Sequence, residues 1–457
     1  MSAGGISDGG AEENDSSIRL PWSHSSRRLP TLVVRPLQSF LETEAAGGVF
    51  LLAATVAALV WANIGGSYER FWARPLSLSV SGWSVKMSLG EFAGEGLMTI
   101  FFFVAGLEIK RELTTGELRD KKVAALPMIA AAAGMAVPAL IYAAFNANGA
   151  GARGWGIPMA TDLAFVLVLV TVAGRGLPTG VRTFLLALAI MDDVLTIVVI
   201  AVFYVGGVDA VPLVVAAGLI GVMAALHVGH VRWMPIYVIL GVGVWYAFLQ
   251  SGVHAAIAGA VLGLLTPSRP FQRPAAVSQE AHRIAEETVD DPQPPDSDAH
   301  LWLRLTQLSR EAVSPLARLE GSLHPWSSFL VVPLFALANV GVDLSGGALG
   351  SALRSPVTVG IVLGRVVGKA VGITGGAYVA VRMGVAVLPM GVRWNHIFAA
   401  AVAAGIGLAV SLFVAQAAFT DPALLEEAKV GILVGSAIAA VAGWFLLRRA
   451  GRARVDP

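Results

Sequence analysis

The sequence predicts an all-α polytopic membrane protein. Three observations carry that expectation. Of its 457 residues, 56% are hydrophobic and only 14% charged, where a soluble globular chain carries roughly 25% charged residues. Apolar runs of roughly 17 to 25 residues, enough to cross a bilayer core of about 30 Å, recur along the chain. The 51 glycines suit helices that approach closely without water to drive their packing.

Twelve spans are expected, near residues 44–63, 92–109, 123–145, 157–173, 183–204, 210–228, 234–249, 251–266, 325–341, 357–381, 396–418 and 430–447. Residues 1–35, beginning "MSAGGISDGGAEENDSS", are polar and rich in Gly, Ser and Glu. A disordered tail is expected there rather than a cleavable leader, which needs a charged start and a short apolar run. One membrane domain is expected over 36–447, with a polar tail at 448–457.

Between spans eight and nine lies a long charged segment, 267–324, containing "RPFQRPAAVSQEAHRIAEETVDDPQPPDSD". Its prolines predict a flexible loop. Its end, "HLWLRLTQLSREAVSPLARLEG", patterns as an amphipathic helix for the membrane interface. "RPLSLSVSGWSVKMSLG" alternates Leu76, Leu78 and Val80, then Val85, Met87 and Leu89, around Ser81-Gly82. That pattern predicts a β-hairpin. An exposed hairpin edge suits pairing with a second copy, so a homodimer through residues 75–90 is expected.

Orientation follows from Lys and Arg, which concentrate on the cytoplasmic side. With twelve spans, 24 of the 32 basic residues fall on the side of the N-terminus and six on the other; Arg365 and Lys369 lie within a span. Both termini are therefore expected in the cytoplasm, with the hairpin on the opposite side. The formal net charge of +1 gives no case for a nucleic-acid partner. No cysteine is present, which excludes disulfide and thiol chemistry. No cofactor is expected.

Charges inside spans are costly and usually functional. Asp192 and Asp193 sit side by side in "LALAIMDDVLTIVVIAVFY". Counted from the ends of their spans, Asp162, Asp192 and Lys369 lie about 18, 15 and 20 Å from the same side at 1.5 Å per residue. All three therefore fall near the midplane. Adjacent helix residues point about 100° apart, so both aspartates can border one cavity. Two close carboxylates resist simultaneous ionisation. Such a pair can hold protons or a small hard cation, and competition for the same oxygens is the physical basis of exchange. The alternative is an ion pair of one aspartate with Lys369 that only fixes packing, but one lysine cannot neutralise both aspartates.

Two spans are interrupted. "GWGIPMATDLAF" places Gly and Pro beside Thr161 and Asp162, and "AAGIGLAVSLF" places Gly405 and Gly407 mid-span. Unwound backbone at depth is tolerated where it lines a cavity or is covered by protein, and paired interruptions mark transporter binding sites. Facing half-helix ends leave uncompensated dipoles. Asp162 is expected to offset facing N-termini, and a cation such as Lys369 facing C-termini.

Seven stretches together resemble the NhaA family of bacterial sodium/proton antiporters. They are "GLMTIFFFVAGLEIKREL", "PMIAAAAGMAVPALIYAAFN", "GWGIPMATDLAF", "FLLALAIMDDVLTIVVIAVFY", "SGVHAAIAGAVLG", "LHPWSSFLVVPLFALANVGV" and "AAGIGLAVSLF". They occur in family order across roughly residues 40–447. The resemblance implies twelve helices in two inverted repeats, with the fourth and eleventh broken and crossing. It implies binding of Na+ or Li+ by Asp192 and Asp193, with Asp193 the principal ligand. Thr161 and Asp162 would lie at the crossing, and Lys369 matches the family's lysine. It further implies electrogenic export of sodium or lithium against more than one entering proton, for pH and sodium homeostasis, in the bacterial inner membrane. The family's pH-sensing cluster maps onto Glu108, Glu112, Glu320, His324 and, more loosely, His254.

Three positions depart from the family pattern. Glu95 stands where close relatives have aspartate, and Gly321 where the best-known member has histidine. Arg365 lies four residues before Lys369 on the same helix face, positioned to share or take the lysine's role. Two rival readings compete with exchange. An intramembrane aspartyl protease needs its aspartates on separate helices facing each other, which adjacent residues cannot provide, so no enzyme is expected. A transport-inactive sensor or channel on the same scaffold stays open; proton-coupled uphill sodium movement separates it from an antiporter.

Overall fold

The computed structural model describes residues 44–80, 83–116, 121–174, 176–231, 233–289, 299–344 and 346–452. The expected N-terminal tail, the Ser81-Gly82 turn and the last five residues of the C-terminal tail lie outside these. The described elements are α1 (Glu44–Ala62), α2 (Ser67–Trp72), β1 (Pro75–Val80), β2 (Trp83–Ser88), α3 (Leu89–Thr114) and α4 (Lys121–Asn146). A 3-10 segment (Ala150–Met159) leads to α5 (Leu163–Ala173), α6 (Thr179–Phe203), α7 (Ala210–Val228), α8 (Met234–Gln250) and α9 (Ala256–Leu265). Then come α10 (Pro274–Val289), α11 (Ala299–Ala312), α12 (Pro315–Asn339), α13 (Gly346–Ala352), α14 (Pro356–Arg382), α15 (Trp394–Ala403), α16 (Ala409–Ala418) and α17 (Pro422–Arg452).

Seven of these helices are long and apolar enough to cross a membrane, or eight when the 3-10 segment and α5, bent by 46°, count as one broken span. That is fewer than the twelve expected. The other four expected spans are also helical: α1 runs 19 residues, of which Ala46–Ala62 is the apolar part, α8 runs 17, α9 ten, and α15 and α16 ten each. Helix α9 is the clearest shortfall. Gly252, at φ +77°, turns the chain before it, and the helix runs ten residues, about 15 Å. Apolar side chains also face outward. Val211, Val214, Val238 and Ile239 on α7 and α8 are exposed, which suits lipid rather than water as solvent.

Close backbone approach packs the bundle. A Cβ on Gly106 of α3 would lie 2.6 Å from the Ala260 carbonyl of α9. One on Gly372 of α14 would lie 2.5 Å from the Ala133 carbonyl of α4. Such contacts supply the van der Waals packing that replaces a hydrophobic drive within lipid.

The segment 267–324 differs from expectation. Helix α11 is the one expected at its end, and among the described residues α10 stands where a flexible loop was expected; residues 290–298 lie outside the described ones. Proline is favourable at the first position of α10, and Val277 and Ile284, seven residues apart, are both buried. That spacing is one helical face, so the segment can bury a stripe despite its polarity. Gln272 N–H donates to the Glu311 carbonyl at 3.1 Å, tying the start of α10 to α11. Helix α12 also starts earlier than expected, at Pro315, with Ser314 accepting from Ala317 N–H at 3.2 Å as its cap. The π-helical turn Ser327–Val331 follows Pro325, the kind of local widening that absorbs a mid-helix proline.

The hairpin matches its pattern. β1 and β2 pair antiparallel from Pro75↔Ser88 to Val80↔Trp83. Met87 is buried while Ser77 and Lys86 are exposed, the alternation a two-residue period requires.

Candidate ion site

The two interrupted helices break against each other. Asp162 N–H donates to the Ile406 carbonyl at 2.9 Å. Thr161 Oγ1 donates to the Ala404 carbonyl at 2.9 Å. Ala409 N–H donates to Asp162 Oδ2 at 3.3 Å. The first break follows Pro158, and Asp162 itself is extended, at φ −103° and ψ 100°. The second holds Gly405 and Gly407, and a Cβ on Gly405 would lie 2.7 Å from the Arg365 carbonyl.

Helix ends converge here with opposite charge. Asp162 stands at the N-cap position of α5, without a side-chain cap bond, and its carboxylate faces the start of α16, where it accepts from Ala409 N–H. Positive helix ends favour an anion in that position. At the carbonyl ends the structure places Arg365 rather than Lys369. Arg365 Nη2 donates to the Ile157 carbonyl at 3.4 Å and Nη1 to the Gly405 carbonyl at 3.3 Å. A guanidinium fork reaches several acceptors at once, whereas the lysine is engaged elsewhere.

Lys369 Nζ lies 2.7 Å from Asp192 Oδ2 and donates to Thr161 Oγ1 at 2.9 Å. Lys369 and Asp192 are each 1% exposed. Asp192 Oδ1 is buried with no partner, as is Thr196 Oγ1 one turn further along α6. Asp193 is half-buried. The charges acting on it are Asp192, Glu108, Asp162 and Lys369. Three carboxylates thus gather around two buried cations. Buried polar atoms without partners are rare in native folds and call for an explanation such as an ion. The oxygens of Asp192, Asp193 and Thr196 are of the type that a small hard cation takes.

The residues matched to pH sensing divide into two groups. Glu108 Oε1 and His324 Nδ1 are 3.0 Å apart, Arg111 bonds Glu320, and Arg111 is 3.4 Å from Glu112. These four residues therefore gather around Arg111 between α3 and α12. His254 stands apart, 2.8 Å from Glu95 Oε1, while Glu95 Oε2 accepts from Ala255 N–H at 2.7 Å at the start of α9. Gly321 faces open space, where an added Cβ would meet nothing within 4 Å.

Sequence reasoning did not single out Thr196, Ser411 or Ser436. Thr196 had a signal, being four residues from Asp192 and so on its helix face. Ser411 and Ser436 had none beyond being hydroxyls within apolar spans.

Helices broken against each other around buried, opposed charges define a secondary transporter. Residues 38–447 match the family model described as Na+/H+ antiporter 1. The chain is similar to the Na+/H+ antiporter NhaA of Janthinobacterium sp. (strain Marseille), 42% identical over 414 residues, or 89% of this chain and 91% of the relative. It is similar to Na+/H+ antiporter NhaA 2 of Sorangium cellulosum (strain So ce56), 42% identical over 422 residues, or 91% and 90%. It is also similar to the NhaA of Syntrophobacter fumaroxidans (strain DSM 10017 / MPOB), 41% identical over 446 residues, or 95% and 94%. The chain belongs to the NhaA family of Na+/H+ antiporters.

Proposed function

We propose that this chain exports Na+ or Li+ from the bacterial cytoplasm in exchange for entering protons, at a site formed by Asp192 and Asp193. One observation carries the reading. Lys369 engages only one oxygen of Asp192, and the other is buried and unpartnered beside the half-buried Asp193. Those oxygens take either a cation or protons. Entering protons neutralise the carboxylates and release the cation outward. A cation binding from the cytoplasm displaces the protons inward. Two titrating carboxylates for one monovalent cation allow more than one proton per turnover, so exchange is electrogenic. Asp162 and Thr161 hold the crossing, and Lys369 sets the state of Asp192.

The access change is a rocking of the unit that carries the two broken helices, since a broken helix can shift one half against the other. The cluster of Glu108, Glu112, Glu320 and His324 senses pH, with His254 acting apart from it. The excess of basic residues on the N-terminal side, 24 against six, supports cytoplasmic termini in the inner membrane. On this reading 36–447 form one transport domain, the hairpin at 75–90 joins two copies, and the physiological role is pH and sodium homeostasis.

The test uses inverted vesicles from a host lacking its own antiporters. Adding Na+ or Li+ is expected to collapse an imposed pH gradient. Folded protein that responds to neither ion, nor to K+, would contradict the proposal and favour a transport-inactive sensor.

A further inference from the structure

Arg365 is fully buried, at 0% exposure. Among the described residues its guanidinium bonds only uncharged groups: the Ile157 and Gly405 carbonyls and the hydroxyls of Ser411 and Ser436. An isolated buried charge is costly. Here the compensation is dipolar, because each half-helix C-terminus carries about half a negative charge. The four acceptors come from four places: the 3-10 segment, the second break, α16 and α17.

The surroundings are shaped to this side chain. A Cβ on Gly407 would lie 2.8 Å from Arg365 Nη1, and one on Gly435 would lie 3.1 Å from its Cδ. Ser436 Oγ accepts from Nη1 at 3.2 Å and from Gly407 N–H at 3.3 Å, and donates to the Gly407 carbonyl at 2.9 Å. Arg365 also lies in the π-helical turn Gly364–Gly368, directly before Lys369. The extra residue of such a turn re-aims neighbouring side chains. One cation reaches the carbonyl ends and the other reaches Asp192.

We propose that Arg365 is the positioning residue of the exchange site: a fixed cation that joins the carbonyl ends of both broken helices and leaves Lys369 free to serve Asp192. The guanidinium suits the fixed task because it holds its charge and presents a rigid fork. The ammonium suits the exchangeable one. The charges facing Arg365 are Asp162 and Asp192, with Lys369 the neighbouring cation. Its consequence for transport rests on the exchange reading above; its consequence for the fold does not.

Three variants of the full chain test this. Arg365→Gln removes charge and fork. Arg365→Lys keeps the charge and loses the fork. Lys369→Gln combined with Asp192→Asn removes both members of the ion pair together. In purified protein, Arg365→Gln is expected to lower the thermal midpoint at least twice as far as the double variant. In vesicles, Arg365→Lys is expected to lower the maximal exchange rate roughly tenfold, the scale of losses from mispositioned groups, with the pH profile of the wild type. Arg365→Gln protein that survives is expected to show a profile moved about one unit to alkaline pH, since the site then lacks one of its two buried cations. A merely structural residue would lower the amount of folded protein and leave the profile of the remainder unmoved.

A wild-type midpoint and profile for Arg365→Gln overturns the proposal, as does a double variant at least as damaged. If Arg365→Gln cannot be purified folded, Arg365→Lys decides: a wild-type profile with a roughly tenfold lower maximal rate supports the assignment, and a wild-type rate or a displaced profile overturns it. Wild-type protein without exchange would reject the exchange reading instead, and the midpoint comparison would still stand or fall on its own.

Discussion

Lys369 holds only half of Asp192: its ammonium sits 2.7 Å from Oδ2, while Oδ1 is buried with no partner. Asp193, next in sequence, is half-buried, and among the described residues no hydrogen bond or ion pair engages its carboxylate. On the proposed reading the two aspartates do different work, and their variants are expected to fail differently.

Asp193→Asn is expected to abolish exchange while leaving folded protein and its thermal midpoint close to wild type. Asp192→Asn leaves the Lys369 ammonium buried without its carboxylate. Breaking one side of a buried pair costs roughly 3–5 kcal/mol, so that variant is expected to lose stability as well as exchange. Thermal unfolding of the purified proteins, beside vesicle transport, separates the two. A destabilised Asp193→Asn with an intact Asp192→Asn would reverse the assignment.

On the proposed reading, protons and sodium compete for the same oxygens, which fixes the sign of the pH dependence. Lowering pH fills the site with protons, so the sodium concentration for half-maximal exchange is expected to rise. The rise is about tenfold per pH unit for each proton displaced. A half-saturation that does not change with pH would mean the ions bind at separate places.

Much of this site is legible in the sequence. Counting residues from span ends places Asp162, Asp192 and Lys369 at one depth, and the fold brings Thr161, Asp192 and Lys369 into direct contact. Depth is readable because a helix advances a fixed distance per residue. Rotation about the axis is not, so sequence could not say which cation met the carbonyl ends. The π-helical turn at Gly364–Gly368 alters that rotation and has no sequence pattern of its own. The hairpin is legible because its period is two. The helix α10 is not, because its stripe rests on only two strongly apolar positions, Val277 and Ile284, within a charged segment.

The link between Glu108 and His324, 3.0 Å long, joins α3 to α12 and strengthens when the imidazole is protonated. His324→Ala removes it. Exchange is expected to extend to more acidic pH by about half a unit or more, as a brace of this strength, roughly 1 kcal/mol, implies. Gly321→Ala, pointing into open space, is expected to leave stability and profile unchanged. A pH series in vesicles reads both, and identical profiles for His324→Ala and wild type would remove this cluster from pH sensing.

Gly106 and the Ala260 carbonyl fix the contact of α3 with α9. Gly106→Val is expected to cost roughly 1–3 kcal/mol, the usual penalty of overpacking, and to lower the thermal midpoint. Gly218, where an added Cβ would meet nothing within 4 Å, serves as the control through Gly218→Val. Equal midpoints for the two variants would show that the close approach does not govern stability.

Deleting the hairpin residues 76–87 and joining their flanks with a short Gly-Ser link tests assembly. The expected outcome is monomeric protein by light scattering, with exchange retained in vesicles. Dimers that survive the deletion would place the contact elsewhere.

The central claim is that the aspartate pair holds either a cation or protons, never both in full. The most direct measurement is calorimetric titration of purified protein with NaCl in two buffers of different ionisation enthalpy at the same pH. Wild type is expected to give heats that differ between buffers, reporting protons released as sodium binds, and Asp193→Asn is expected to give none. Sodium binding with identical heats in both buffers, or undiminished binding by Asp193→Asn, would contradict the account.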